Sequence, residues 1–195
     1  MLSDLATAIV QHGEDAYAHQ VSPRPPFSKV ITISYSVFDN FNIPSGSDKI
    51  RYVYCGLKTE DGSVNVNRLE KRLTEAMKAV GAKDGSTLWQ HILKDLLGGA
   101  VIDPSGVRSA FTNMSSGQKL LVTIFSEILA NIEQKSLLLF DEPETHLHPN
   151  MTFKLIKALS NLLETYDSYG VLATHSPIVL QQIPSKYVRI IERIG

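Results

Sequence analysis

The sequence predicts an α/β domain with a mostly parallel sheet and helices on both of its faces. Three observations support this fold class: short apolar runs typical of buried strands, amphipathic stretches between those runs, and polar residues where the runs end. A chain of 195 residues that is 43% hydrophobic and 20% charged is long enough for one core and short for two. We therefore expect a single domain.

The first half of the chain combines helices with two strands. An amphipathic helix is predicted over residues 1–12, and the β-branched run 30–35 is typical of a buried strand. Residues 36–66 contain many turn-forming side chains and are predicted to be irregular around a short strand at 52–54. Apolar residues at helical spacing over 67–98 predict two helices, which would form a helical insertion or subdomain.

The second half is more regular. Helices are predicted over 117–132 and 151–163, and apolar strands over 136–140, 170–174 and 187–191. In parallel sheets, ligand chemistry collects at the carboxyl ends of the strands. We therefore expect the functional residues just beyond these apolar runs.

Charge and cysteine content exclude several classes of protein. The formal net charge is −1, so nucleic-acid binding would need a local basic patch or a partner rather than an overall cationic field. The single cysteine, Cys55, is predicted to be a small buried residue, since it cannot form an internal disulfide or a cysteine-rich metal site. No apolar run has the length needed to span a bilayer, and the chain starts without a basic signal segment. These features predict a cytoplasmic protein without a membrane segment.

The strongest site signal is a pair of adjacent carboxylates, Asp141 and Glu142, directly after an apolar strand. In nucleotide hydrolases, the first such carboxylate serves Mg²⁺ and the second activates the attacking water. A solvated turn after a strand is the alternative interpretation, and for an isolated Asp-Glu pair it would be the better one. Two further motifs in the same half of the chain favour the functional interpretation.

One of these motifs opens a predicted helix, and the other follows a predicted strand. The helix starts with Ser115, Ser116, Gly117 and Gln118, where free backbone N–H groups and the helix dipole favour an anion such as phosphate. His175 lies just past the strand at 170–174. The alternatives are an ordinary N-cap for the serines and a polar strand end for the histidine.

These motifs together resemble those of an ABC-type P-loop ATPase. Residues 114–118, Met-Ser-Ser-Gly-Gln, resemble the ABC signature with its third position changed; residues 137–142 resemble Walker B, and His175 resembles the switch histidine. The stretch 141–149, Asp-Glu-Pro-Glu-Thr-His-Leu-His-Pro, is similar to the form found in SMC-like, OLD-like and bacterial defence ATPases. The resemblance covers about residues 108–195.

The resemblance implies a role for each motif. Asp141 would support Mg²⁺, Glu142 would activate water, and His175 would contact the γ-phosphate of ATP. Ser115 and Gly117 would grip the nucleotide bound by a second subunit, which implies a homodimer with ATP sandwiched between its subunits.

The segment 144–148 occupies the position of the D-loop in such ATPases. Its two histidines, His146 and His148, are an alternative candidate for a metal pair. The D-loop interpretation is favoured because their spacing does not stack them on one helical face, and no further ligand is evident.

Two departures from the family pattern stand out. No Gly-x-x-x-x-Gly-Lys-Ser/Thr occurs, and residues 1–6 resemble the helix that follows this P-loop. We therefore expect that the first strand and the P-loop precede residue 1 in a longer parent chain. Residues 21–89 contain no glutamine for a Q-loop; Asp39 or Asn40 is a candidate to replace it, although a turn-forming role is the favoured interpretation of both.

Two other functions stay open on the sequence alone. The chain could be a catalytically silent subunit that offers its signature helix to a complete ATPase. It could also be a nucleotide-dependent scaffold for an effector such as a nuclease, and the resemblance to defence ATPases suggests an antiphage setting. Retention of Glu142 and His175 argues against the silent subunit, because a docking module needs no general base.

Overall fold

A computed structural model describes residues 2–10, 27–35, 51–56, 69–82, 86–99 and 107–191. The strands are β1 Lys29–Ser34, β2 Arg51–Gly56, β3 Ser136–Asp141 and β4 Tyr169–Ala173. They form one four-stranded sheet in the order β2-β1-β3-β4, and every neighbouring pair is parallel. The predicted parallel α/β architecture is therefore confirmed.

Helices cover both faces of this sheet. They are α1 Leu2–Val10, α2 Leu69–Ala82, α3 Ser86–Leu96, α4 Val107–Thr112, α5 Ser116–Asn131, α6 Pro149–Thr165 and α7 Pro177–Leu180, followed by a 3-10 turn at Ser185–Tyr187. In the described ranges, no helix combines the length and apolar character needed to cross a membrane.

The side chains of the sheet alternate between two apolar clusters, as the pleat requires. The larger cluster contains Ile31, Ile33, Leu138 and Phe140 and takes side chains from α2, α3, α5 and α6. The smaller cluster packs Val30, Leu137 and Leu139 of the sheet against α1. Because β1 and β3 contribute to both clusters, every position of these strands except Asp141 is buried, and the apolar residues among them gave the sequence signal.

Helix α5 is the central helix of the larger cluster. Its ten consecutive residues from Leu120 to Leu129 are all buried, because the helix packs against β1 and β2 on one side and α2 on the other. Full burial of an apolar side chain such as Phe125 contributes about 1.5–3 kcal/mol. The position of α5, and with it the start of the helix at Ser116, is therefore fixed by the core.

The strands end level with one another. Ser34 of β1 is in register with Gly56 of β2 and with Asp141 of β3, and Asp141 is in register with Ala173 of β4. The loops that leave these residues therefore start from one edge of the sheet, as the sequence analysis expected.

The strand predicted at 187–191 is wrong. Tyr187 ends the 3-10 turn, and no strand pairing follows it in the described residues. Ile190 and Ile191 are 85% and 70% exposed, so their β-branched side chains pack against no core. A strand needs a paired neighbour as well as a suitable residue pattern, and the pattern alone misled the prediction.

Strand β4 also differs from the expectation of a strand covered on both faces. It lies at the edge of the sheet, and Tyr169 and Val171 are 58% and 39% exposed. Only Leu172 and Ala173, at the carboxyl end of the strand, are half-buried. The pairing with β3 nevertheless fixes where the chain leaves β4.

Candidate functional site

The carboxylate pair lies where the central strand β3 ends. Asp141 is its last residue and is half-buried between the ends of β1 and β4. The backbone N–H of Glu142 donates to the carbonyl oxygen of Ala173 at 2.8 Å, which extends the contact with β4 by one residue. The pair is thus built into the sheet edge and is not a loose turn.

Glu142 has an unusual backbone conformation. Its φ angle is +45°, a left-handed conformation that costs a non-glycine residue on the order of 1 kcal/mol. A turn compensates for it: the backbone N–H of Thr145 donates to the Glu142 carbonyl oxygen at 3.0 Å. The Thr145 hydroxyl also donates to Glu142 Oε2 at 3.1 Å. This second bond fixes the orientation of the Glu142 carboxylate.

His175 follows the neighbouring strand and is exposed. Its backbone N–H donates to Glu144 Oε1 at 3.2 Å, and the hydroxyl of Thr174 donates to the same oxygen at 2.7 Å. Sequence analysis placed Glu144 only within the D-loop segment and missed this link. The signal that could have indicated it is the position of a third acid near the ends of two adjacent parallel strands.

Ser115 is the N-cap of α5 and forms a capping box with Gln118. The Gln118 backbone N–H donates to Ser115 Oγ at 3.3 Å, and the Ser115 backbone N–H donates to Gln118 Oε1 at 2.9 Å. The alternative interpretation, that Ser115 is an N-cap, is therefore confirmed. Ser115 and Ser116 are nonetheless exposed, so capping does not hide them from a ligand.

Gly117 allows α5 to approach the segment that follows the carboxylate pair. A Cβ atom at this position would lie 3.0 Å from Met151 Sδ and 3.8 Å from the carbonyl oxygen of His146. A larger residue would push these neighbours away. The predicted signature motif and the predicted D-loop segment therefore lie close together.

Among the described residues, the two histidines of that segment are not grouped with a third side chain that could bind a metal. His148 is the N-cap of α6, and its Nδ1 accepts from the Asn150 backbone N–H at 3.3 Å. In the ranges that the structure describes, no group of three or more His, Cys, Asp or Glu residues is arranged to hold a metal ion. Asp39 and Asn40, the candidates for replacing the Q-loop glutamine, lie outside the described residues.

A second polar cluster, which sequence analysis missed, is buried between α2, α5 and the sheet. Tyr35 donates to Glu127, and Arg72 donates to Glu127 and to the carbonyl oxygen of Gly56. Burial raises the pKa of the Glu127 carboxyl, while the charge of Arg72 acts in the opposite direction. A glutamate inside the apolar run of α5 was the available sequence signal.

Cys55 lies beside this cluster and is 1% exposed, as predicted for a small buried residue. Burial raises the pKa of its thiol well above the usual range. Since the thiolate is the reactive form, the structure offers no chemical role for this cysteine.

The side chains at the sheet edge suit a hard cation. Asp141 and Glu142 supply carboxylate oxygens, and Ser34 is in register beside Asp141. Mg²⁺ prefers oxygen ligands of this type, often one or two carboxylates together with substrate phosphates. The donor set therefore fits Mg²⁺ bound with a nucleotide.

A parallel sheet between helices, with an acidic pair ending a central strand, is consistent with the class of α/β P-loop NTPases. A protein-family profile described as "AAA domain, putative AbiEii toxin, Type IV TA system" matches residues 38–181. This match covers more than half of the chain, and the chain belongs to that AAA-domain family. Members of such a family use a nucleotide, usually with Mg²⁺. The SMC-like or OLD-like lineage stays a prediction.

Two relatives are similar over part of their length. Protein ea59 of Escherichia phage lambda is 26% identical in an alignment 201 positions long, gaps included, that covers 83% of this chain and 38% of that protein. The Retron Vc95 probable ATPase of Vibrio cholerae serotype O1 biovar El Tor is 27% identical in an alignment 101 positions long that covers 46% of this chain and 19% of that protein. The chain thus matches less than half the length of either relative.

Proposed function

We propose that this chain is the hydrolytic part of a defence-related ATPase that cleaves Mg-ATP between two copies of itself. The observation that carries the proposal is the placement of Asp141, Glu142 and His175 at the ends of two adjacent parallel strands. Such an edge is where open parallel sheets bind ligands. Membership of the AAA-domain family indicates that the ligand is a nucleotide.

Each of the three residues has a distinct role in this proposal. Asp141 would hold Mg²⁺, which when bound neutralises charge on the β- and γ-phosphates. Glu142 accepts a proton from water as the water oxygen attacks the γ-phosphorus and ADP leaves. The bond from Thr145 keeps the Glu142 carboxylate oriented for this transfer. His175 donates a hydrogen bond to the γ-phosphate.

The start of α5 would act on the nucleotide of the partner copy. Ser115 and Ser116 are exposed, and α5 is 16 residues long, so its N-terminus has a full helix dipole behind it. Ser115 Oγ accepts from the backbone of Gln118, which leaves its own O–H free to be donated to a phosphate oxygen. The close approach of Gly117 to the D-loop segment would link the two nucleotides of the dimer.

The biological setting is proposed from the comparisons. The family description names a putative AbiEii toxin and a type IV toxin–antitoxin system, and one relative is a probable retron ATPase. A cytoplasmic role in antiphage defence fits both, with an effector nuclease as the partner. The net charge of −1 gives no independent support for nucleic-acid binding.

Glu142→Gln in the full-length gene product tests the proposal. The substitution keeps size and removes the basic carboxylate, so phosphate release should fall by roughly two to four orders of magnitude. Mg-ATP binding should persist, and the variant should accumulate as an ATP-bound dimer in light scattering after gel filtration. Glu164→Gln, an exposed carboxylate on α6, is the matched control and should behave as the parent does.

Asp141→Asn should impair ATP binding rather than the hydrolytic step. It weakens Mg²⁺-dependent ATP binding itself, which calorimetry with and without Mg²⁺ detects, because this carboxylate serves the cation rather than the water. Parental turnover by Glu142→Gln would overturn the assignment. The carboxylate pair would then be an ordinary polar strand end, which is the alternative interpretation of the sequence.

A further inference from the structure

We propose that Glu144 is a positioning residue that holds His175 in place for hydrolysis, an inference that rests on the function proposed above. Glu144 belongs to the loop after β3, and His175 belongs to the loop after β4. The two residues are 31 positions apart in the chain, so their contact exists only in the folded sheet.

A single carboxylate oxygen organises the loop of His175. Glu144 Oε1 accepts from the Thr174 hydroxyl at 2.7 Å and from the His175 backbone N–H at 3.2 Å. Thr174 Oγ1 in turn accepts from the backbone N–H of Ser176 at 2.9 Å. Three successive residues are therefore oriented, directly or through Thr174, by Glu144.

This anchoring matters because the ring of His175 is exposed. An exposed side chain has few packing contacts to fix its direction, so its backbone must do so. The hydrogen bond from the His175 backbone N–H fixes the nitrogen that is bonded to Cα, and the ring extends from that same Cα. Bonds to an ionised carboxylate are also stronger than neutral ones, which makes Glu144 a firm anchor.

The environment of the second carboxylate oxygen, Oε2, indicates that Glu144 does more than stabilise the fold. Oε2 is buried and accepts no hydrogen bond from the residues that the structure describes. Leaving a buried polar atom unpaired typically costs about 1–3 kcal/mol. Unpaired buried groups of this kind call for a functional explanation.

Glu144 also connects His175 to the proposed water-activating residue. Glu142 and Glu144 lie in one short turn, in which the Thr145 backbone N–H donates to the Glu142 carbonyl oxygen at 3.0 Å. The backbone N–H of Glu142 donates to Ala173, just before the loop of His175. The two loops are thus joined at two points close to the ends of their strands, and His175 and Glu142 would keep a constant relative position.

The test uses the full-length gene product and compares Glu144→Ala, Glu144→Gln, His175→Ala and the double variant Glu144→Ala/His175→Ala. Glu144→Ala should lower kcat about 10- to 100-fold, since a misplacement of about 1 Å has effects of this size, and should leave KM for ATP nearly unchanged. Glu144→Gln retains an acceptor oxygen and should restore most of kcat. In the double variant, the loss should equal that of His175→Ala alone.

Hydrogen exchange gives a readout that does not depend on hydrolysis. A peptide covering residues 173–178 should exchange faster in Glu144→Ala than in the parent, and Glu164→Ala should change neither exchange nor kcat. Normal kcat in Glu144→Ala, beside an impaired His175→Ala, would overturn the inference and leave the proposed function intact. Normal kcat in His175→Ala would overturn the role of His175, and the inference with it.

Discussion

Two groups of carboxylates in the described residues differ in how completely the surrounding structure pairs their oxygens. Glu127 is buried and fully paired, with Tyr35 and Arg72 as donors. Glu142 and Glu144, at the strand ends, combine a left-handed backbone with a buried oxygen that lacks a partner among the described residues. Both groups join elements that are distant in the chain.

The difference separates a structural role from a functional one. At Glu127, burial makes the charge expensive, so the surrounding donors satisfy it and tie α2 and α5 to the ends of β1 and β2. At the strand ends, strain and an unpaired atom persist because the sheet on both sides holds the loop in place. Removing a side chain should therefore lower stability much more at the buried Glu127 cluster than at the strand ends.

The largest effect on stability is expected at Arg72. Arg72→Met leaves the buried Glu127 carboxylate without its cation and should lower the free energy of unfolding by about 3–5 kcal/mol. Urea denaturation measures this loss. The double variant Arg72→Met/Glu127→Leu removes both charges and should recover most of it. A double variant as unstable as the single one would show that packing, and not the charge, is what Arg72 supplies.

The N-cap of α5 is the next test, because Ser115 caps the helix and is also proposed to contact a phosphate. Ser115→Ala removes the cap acceptor and should lower stability by about 1 kcal/mol. Ser115→Asp keeps a good cap, so stability should stay near that of the parent, while its negative charge should repel the phosphate and abolish turnover. Normal turnover in Ser115→Asp would show that this serine only caps the helix.

How far the sequence predicts this molecule depends on how local each feature is. The strand ending at Asp141 was predictable because burial on both faces leaves an apolar run, and parallel topology then placed His175 at the same edge. The bond between Arg72 and Glu127 was not, because it joins residues 55 positions apart on separate helices. The false strand at 187–191 has the same cause, since strand pairing is not encoded in a local pattern.

The backbone of Glu142 provides the final test, in which relief of the left-handed conformation should raise stability without restoring hydrolysis. Glu142→Ala and Glu142→Gly both delete the carboxylate, but only glycine relieves the φ angle of +45°. Glu142→Gly should therefore be more stable than Glu142→Ala by about 1 kcal/mol in urea denaturation, and neither should hydrolyse ATP.

Lys135, with a φ angle of +61° in the turn before β3, is the matched control. Lys135→Gly should show the same gain over Lys135→Ala with normal turnover, because that strain lies at the opposite end of the strand from the site. Equal stability of the two Glu142 variants, beside the expected difference at Lys135, would mean that the strand-end loop relaxes once its carboxylate is gone. The strain at Glu142 would then depend on the side chain, and the contrast with Glu127 would rest on the unpaired oxygen of Glu144 alone.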